Sequence, residues 1–189
     1  MVKIIVGISG ASGAIYGIRT LQVLAEAEVE SHLILSSAAK KVIEQETDWT
    51  IDALQNLASV VYSIDQIDAP IASGSFPIDG MIVIPCSMKT LSGIANSYAD
   101  NLITRAADVT LKEGRPLLLS IRETPLHRGH LRIMDLAMQT GAIIAPPIPA
   151  FYSRPTSLEE MVDETVRRNL MRMGIKISSR YKWEGPTEE

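Results

Sequence analysis

Residues 7–13 (GISGASG), near the start of the chain, offer the chemistry of an anion-binding turn. They follow the apolar run 2–6 and lead into a segment whose apolar residues recur at helical spacing from Ala14 onward. Glycines let the backbone approach a ligand closely, and the free N–H groups and dipole at a helix N-terminus attract negative charge. The pattern therefore predicts a strand, a small-residue turn and a helix that together hold a phosphate-bearing ligand.

The spacing of the glycines narrows the type of ligand. They follow the pattern G-x-x-G-x-x-G, which departs from the dinucleotide pattern G-x-G-x-x-G. The predicted second strand, 31–35, ends in Ser36 and Ser37, where a nicotinamide-binding domain has a carboxylate for the ribose. We therefore expect a ligand with a single phosphate, such as FMN. The alternative is a tight strand–helix connection that serves packing alone.

Hydroxyl and charged groups also follow other apolar runs. Ser87 and Thr90 flank a predicted helix start, where their hydroxyls can cap the helix, bind a ligand or do both. Arg122 and Glu123 follow the apolar run 117–121, and ligands of parallel sheets bind beyond the carboxyl ends of the strands. These residues are therefore candidates for an anionic ligand.

Charged residues within the predicted helices leave two interpretations open. Arg105 and Lys112 are seven residues apart and so lie on nearly the same helix face, with Asp108 between them. This face is either a solvated surface or part of an anion site. Glu46 closes a predicted helix, where a carboxylate opposes the helix dipole, so a specific use for this side chain is one explanation.

Other reactive residue types predict less. Cys86 has no local partner motif for a nucleophile and is expected to pack as a small hydrophobe. His127 and His130 share a predicted helix face, but two histidines without a third ligand make a poor metal site. His32, in an apolar strand, is expected in the core. We therefore expect no metal.

Strand and helix patterns alternate along the chain, which is typical of a parallel sheet covered by helices on both faces. The sequence thus predicts a single-domain α/β fold with three layers. The predicted strands cover 2–6, 31–35, 60–62, 81–84, 117–121 and 142–144. The predicted helices cover 14–27, 38–46, 50–57, 90–97, 102–113, 126–140 and 158–173.

Composition bounds the class of protein. With 189 residues, we expect one domain over 1–184 and a polar tail over 185–189. The net charge of −4 predicts no general attraction to nucleic acid or to anionic membranes. No apolar run approaches the ~20 residues of a membrane span, and the single cysteine excludes an internal disulfide. We expect a cytoplasmic protein.

Eight motifs then occur in a characteristic order. They are GASGA (10–14), SGS (73–75), PCSMKTL (85–91), RAAD (105–108), LKE (111–113), RPL (115–117), RETPLH (122–127) and PAFY (149–152). Together they resemble the UbiX/Pad family, once described as aromatic-acid decarboxylases and now understood as flavin prenyltransferases. The likeness runs from about Ile4 to Trp183. Gly114 stands where family members often carry arginine, and this difference leaves Lys112 unchanged.

The resemblance implies a Rossmann-like or flavodoxin-like subunit, FMN bound between subunits, and a homododecamer. It also implies that reduced FMN is a substrate, which receives a dimethylallyl group from dimethylallyl phosphate at N5 and then at C6. The prenylated FMN would serve a decarboxylase of the UbiD type. No metal is implied.

The resemblance also implies roles for individual residues. Cofactor-binding residues would be Gly10, Ala11, Ser12, Ser36, Ser87, Met88, Lys89, Thr90 and Arg122. Residues that hold the dimethylallyl phosphate or line its site would be Arg105, Lys112, Tyr152, Arg168 and Trp183. Catalytic residues would be Ser12, near flavin N5, together with Glu46, Lys112 and Glu123.

Two other functions remain as alternatives. One is direct FMN-dependent decarboxylation of a hydroxyaryl, phenylacrylic or cysteine-derived acid, although we find no match to the substrate-binding motifs of the cysteine-type decarboxylases. The other is a flavin-carrying subunit of a decarboxylase complex. The donor is either a monophosphate or a pyrophosphate, and the decarboxylase served acts either in quinone synthesis or in aromatic-acid breakdown.

Overall fold

The computed structural model describes residues 1–178, and strands and helices alternate along them. The predicted polar tail and Trp183 lie outside the described residues. The strands are β1 (Lys3–Ile8), β2 (Glu30–Leu35), β3 (Val60–Tyr62), β4 (Gly80–Cys86), β5 (Leu117–Ile121) and β6 (Ile143–Ile144). The helices are α1 (Ala14–Glu26), α2 (Ser37–Glu46), α3 (Ile51–Gln55), α4 (Met88–Ala95), α5 (Leu102–Lys112), α6 (Arg128–Gln139) and α7 (Leu158–Arg172).

The strands form one parallel sheet in the order β3-β2-β1-β4-β5-β6. This is the order of the Rossmann fold, so the prediction of a Rossmann-like parallel sheet is confirmed. The chain leaves β1 toward one edge and returns at β4 toward the other. The point where the order reverses therefore lies between β1 and β4, and ligands of open α/β sheets bind beyond the strand ends at this point.

The sheet separates two apolar cores. On one face, α1 and α7 pack against side chains such as Ile4, Val6 and Ile82. On the other face, α4, α5 and α6 pack against side chains such as Ile5 and Val83. Because both faces are covered, the central strands are apolar without alternation, as the sequence indicated. His32 and Cys86 are both buried, as expected.

Some predicted boundaries differ from the structure for local reasons. Helix α4 begins at Met88, two residues earlier than predicted, because Ser87 in extended conformation is its N-cap. Helix α6 begins at Arg128 rather than at residue 126, because His127 is extended and its side chain caps the helix. After α5, Gly114 has a φ of +66°, a left-handed conformation that favours glycine over the arginine common in the family.

Candidate functional site

The loops after β1 and β4 are joined at the switch point by one buried hydroxyl. Ser9 Oγ donates to the carbonyl of Pro85 at 2.9 Å and accepts from the N–H of Ser87 at 2.7 Å. The N–H of Ser9 also donates to the Pro85 carbonyl, at 3.2 Å. Ser9 therefore fixes the glycine-containing turn against the start of α4.

A cleft of about 1120 Å³ opens beside this junction. It lies among the turn after β1, the N-terminal ends of α2 and α4, and the segment that precedes α5. Five of the predicted cofactor-binding residues line it, namely Gly10, Ser36, Ser87, Lys89 and Thr90. A small-molecule site is typically ~300–1,000 Å³, so the cleft is large enough for a mononucleotide.

The backbone of the turn closely approaches the first residues of α2. A Cβ on Gly10 would overlap with the side chain of Ala38, so this position accepts glycine alone. The approach brings the backbone of the turn to the N-terminus of α2. Within the turn, Ala11 is buried, whereas Ser12 is exposed.

Two of the lining serines are also helix caps. Ser36 Oγ accepts from the N–H of Ala39 at 3.0 Å, at the start of α2. Ser87 Oγ accepts from the N–H of Thr90 at 3.3 Å, at the start of α4. Ser36 and Ser87 therefore both cap helices. Because both also line the cleft, each can contact a ligand while it caps its helix. The two helix N-termini add positive potential to the cleft.

Glu46 does not cap its own helix but crosses to the start of α1. Its carboxylate accepts from the N–H groups of Gly13, at 2.7 Å, and Ala14, at 3.2 Å. The carboxylate that opposes the dipole of α2 is therefore favourable at the positive end of α1. Partial burial raises the pKa of Glu46, but hydrogen bonds from Ser12, Gly13 and Ala14 and the charge of Arg122 outweigh burial and lower it.

Arg122 supplies positive charge to the same region. Its backbone N–H donates to the carbonyl of Cys86 at 3.1 Å, which holds the residue beside the start of α4. Its charge acts on Glu46 and also on Tyr16. Burial raises the pKa of Tyr16, and the nearby arginine opposes this change only in part. Glu123 is exposed next to Arg122 and accepts from the N–H of Thr124 at 3.0 Å.

Lys112 and Arg105 do not join this cleft. Helix α5 starts at the cleft, where Asn101 lines it, and runs toward the amino ends of the strands. Ile103 and Thr104, in the first turn of α5, also line the cleft, whereas Lys112 is the last residue of this helix and lies about 12 Å beyond Thr104 at ~1.5 Å per residue. Arg105 donates to the carbonyl of Ala72 at 3.3 Å and pairs with Asp108 at 3.2 Å.

Tyr152 and Arg168 form a third group. Arg168 Nη1 donates to the hydroxyl of Tyr152 at 2.9 Å, so two residues that lie 16 positions apart and were both predicted to bind the substrate are in contact. Met88, by contrast, packs against the core on the α4 side rather than lining the cleft. Trp183 lies outside the described residues.

The segment before α5 also lines the cleft, although none of its residues was predicted to do so. Asn96, Tyr98, Asp100 and Asn101 all line the cleft. Asn101 Oδ1 accepts from the N–H of Thr104 at 3.1 Å, and the Thr104 hydroxyl accepts in return from the N–H of Asn101. This capping box is visible in the sequence as a polar residue three positions before a threonine. It could have located the end of the loop that forms this wall of the cleft.

The chemistry of the cleft suits a flavin mononucleotide. Hydroxyls and helix N-termini provide donors for a phosphate and a ribityl chain, and Ile64 and Ile103 add apolar surface for a ring system. Across residues 1–178, no group of three or more His, Cys, Asp or Glu side chains has the arrangement of a metal site. Within the same range, no helix has both the length and the apolar character needed to cross a bilayer.

A Rossmann-type sheet with such a cleft at its switch point defines an α/β nucleotide-binding protein. Comparison with known proteins narrows this class. The model of the Flavoprotein family matches residues 1–161. The flavin prenyltransferase UbiX of Escherichia coli (strain K12) is 53% identical over 188 residues, which cover 98% of this chain and 100% of that protein.

Two solved structures are also similar. AnUbiX (PadA1), in complex with FMN and dimethylallyl pyrophosphate, has a TM-score of 0.95 and 44% identity, covering 97% of this chain and 98% of that one. A dodecameric FMN-dependent UbiX-like decarboxylase from Escherichia coli O157:H7 has a TM-score of 0.93 and 46% identity, covering 97% of this chain and 100% of that one. The chain belongs to the Flavoprotein family and, within it, to the UbiX flavin prenyltransferases.

Proposed function

We propose that this protein joins the dimethylallyl group of dimethylallyl phosphate to N5 and C6 of reduced FMN, with release of phosphate. The observation that carries this proposal is the cleft at the switch point, where five residues expected to bind FMN line one cavity. Membership in the UbiX family and the FMN and dimethylallyl pyrophosphate bound to AnUbiX support it. The prenylated FMN would then pass to a decarboxylase of the UbiD type. The proposed compartment is the cytoplasm.

Different residues around the cleft would bind different parts of FMN. Ser36, Ser87 and Thr90, with the N-termini of α2 and α4, would hold the phosphate and ribityl groups through hydroxyls and backbone N–H groups. Lys89 and Arg122 would add positive charge. Gly10 and Ala11 let the turn lie against the ligand, and Ser12 would lie near N5. Reduced FMN supplies the nucleophilic nitrogen of the reaction.

The side chains of the protein would contribute to catalysis in two ways: by accepting a proton and by stabilising negative charge on the departing phosphate. Bond formation at C6 releases a proton, and the carboxylate of Glu46, which lies against the turn after β1, would accept it. Glu123, which follows β5, is a second carboxylate at the carboxyl ends of the strands. Cleavage of the allylic C–O bond builds negative charge on the departing phosphate, which Lys112, Tyr152 and Arg168 would stabilise.

These groups require more than one subunit. Lys112 lies about two helical turns beyond Thr104, which lines the cleft, so its side chain would not reach a ligand bound in the cleft of its own chain. We therefore propose that the donor site is completed where the cleft of one subunit meets the end of α5 of another. The dodecameric state of the related Escherichia coli protein supports an assembly of this kind, and we propose a homododecamer here.

The proposal is tested by anaerobic incubation of the purified protein with reduced FMN and dimethylallyl phosphate, followed by mass spectrometry of the released flavin. A flavin heavier by one five-carbon prenyl unit is the expected product. Unmodified FMN, after reduction and FMN binding have been verified, would contradict the proposal. Release of CO₂ from an aromatic acid by the purified protein alone would then favour direct decarboxylation.

A further inference from the structure

Two cationic side chains, Lys112 and Arg115, lie at the end of α5, and their partners differ. Residues 112–115, at this end of the helix, face the loop 73–75. Arg115 donates through its two terminal nitrogens to the carbonyls of Gly74, at 3.0 Å, and Phe76, at 3.1 Å. Its guanidinium group is therefore committed to fixing the loop. Lys112 pairs instead with a side chain, the carboxylate of Glu113.

The loop closes one side of this ion pair. A Cβ on Gly74 would overlap with the carboxylate of Glu113 and would lie 2.7 Å from Nζ of Lys112, so the loop backbone lies directly against both groups. The hydroxyls of Ser73 and Ser75 are 2.9 Å apart beside it. The side chain of Lys112 is 48% exposed and that of Glu113 is 34% exposed. The pair is thus enclosed on one side and open on the other.

The Glu113 side chain is negatively charged near neutral pH. The hydrogen bond from Lys112, the charge of Lys112 and the charge of Arg115 together lower the pKa of Glu113. A phosphate that binds Lys112 must compete with this carboxylate for the ammonium group. Because Glu113 is the next residue in the chain and the helix end is fixed by the loop, its negative charge stays close to the bound phosphate.

We propose that Glu113 determines donor specificity by favouring an allylic monophosphate over the corresponding diphosphate. The inference rests on the proposed role of Lys112 in holding the donor phosphate. A monophosphate ester carries a charge of about −1.5 to −2 at neutral pH, and a second phosphate group brings further negative charge near the carboxylate. Repulsion between like charges therefore costs more binding energy for the diphosphate. The family site can admit a diphosphate, since AnUbiX is bound to one.

The test compares wild-type protein with Glu113→Gln, Glu113→Asp and the control Asp135→Asn, which also removes one exposed carboxylate but on α6. Inhibition constants for inorganic phosphate and inorganic pyrophosphate are measured with FMN bound, along with kcat/KM for the two dimethylallyl donors. In Glu113→Gln, the preference for the monophosphate should fall by about threefold to tenfold at low salt and by less at high salt. Glu113→Asp and Asp135→Asn should keep the wild-type preference.

The outcomes separate this inference from the proposed function. If the wild-type protein prenylates FMN but Glu113→Gln keeps the wild-type preference, the role of Glu113 is refuted and the proposed function stands. A parallel loss of activity with both donors would also refute it, because it would indicate a structural role. If the wild-type protein prenylates FMN with neither donor, the proposed function itself fails.

Discussion

Glu46 links the end of α2 to the start of α1, and the substitution Glu46→Gln tests this link. The carboxylate accepts from two backbone N–H groups, those of Gly13 and Ala14. Glutamine keeps an acceptor oxygen but removes the negative charge at the helix N-terminus, an interaction worth ~0.3–1 kcal/mol at an exposed position. Weaker hydrogen bonds add to this loss. We therefore expect destabilisation of roughly 0.5–1 kcal/mol, or about 1–4 °C in Tm.

The contribution of Glu46 to stability depends on pH. Because the pKa of Glu46 is lower in the folded protein than in the unfolded chain, its contribution is complete above the unfolded value of about 4.3. It is lost as the pH falls through the folded pKa. The difference in Tm between wild type and Glu46→Gln should therefore be constant from about pH 6 to 8 and shrink in acid.

The assay is thermal unfolding followed by circular dichroism at a fixed protein concentration, from about pH 4 to pH 8. The matched control is Glu44→Gln, which removes an exposed carboxylate from the same helix and should change stability by less than ~0.5 kcal/mol. Equal effects of the two substitutions would refute the account of Glu46, as would a difference that grows toward acid pH.

Three further substitutions test other parts of the site. Gly10→Val should abolish FMN binding, measured by flavin fluorescence, because the added side chain collides with Ala38; normal binding would contradict the assignment of the cleft. Lys112→Ala should leave FMN bound but abolish prenylation in the mass-spectrometric assay, and loss of FMN instead would remove Lys112 from the donor site. Ser9→Ala should cost about 1–3 kcal/mol in denaturant unfolding, because it removes two buried hydrogen bonds; a neutral effect would refute its role as a junction.

Much of the fold could be predicted because its signals are local. The turn 7–13 follows a continuous apolar run and precedes a helical pattern, so its position at a strand end needed no knowledge of distant contacts. Parallel strands bring their carboxyl ends to one edge, which explains why Gly10, Ser36 and Ser87 line one cleft although they are far apart in sequence.

The rest of the site depends on long-range geometry. The contact of Glu46 with α1 spans more than 30 residues. Because of this contact, a carboxylate that is unfavourable at the C-terminus of its own helix is favourable at the N-terminus of another. The seven-residue spacing of Arg105 and Lys112 places both on one helix face, but it does not indicate how far these side chains lie from the cleft. The loop around Gly74 that encloses the pair of Lys112 and Glu113 is far from both residues in sequence, so the sequence did not indicate this contact.

We propose that two regions at opposite ends of α5 form one donor site across subunits. Co-expression of Gly10→Val and Lys112→Ala subunits tests it, since each variant alone should be inactive. Mixed oligomers contain interfaces where an intact cleft meets an intact Lys112, so we expect partial recovery of prenylated FMN by mass spectrometry. Mixed oligomers as inactive as either parent, with mixing verified by two affinity tags, would contradict the claim.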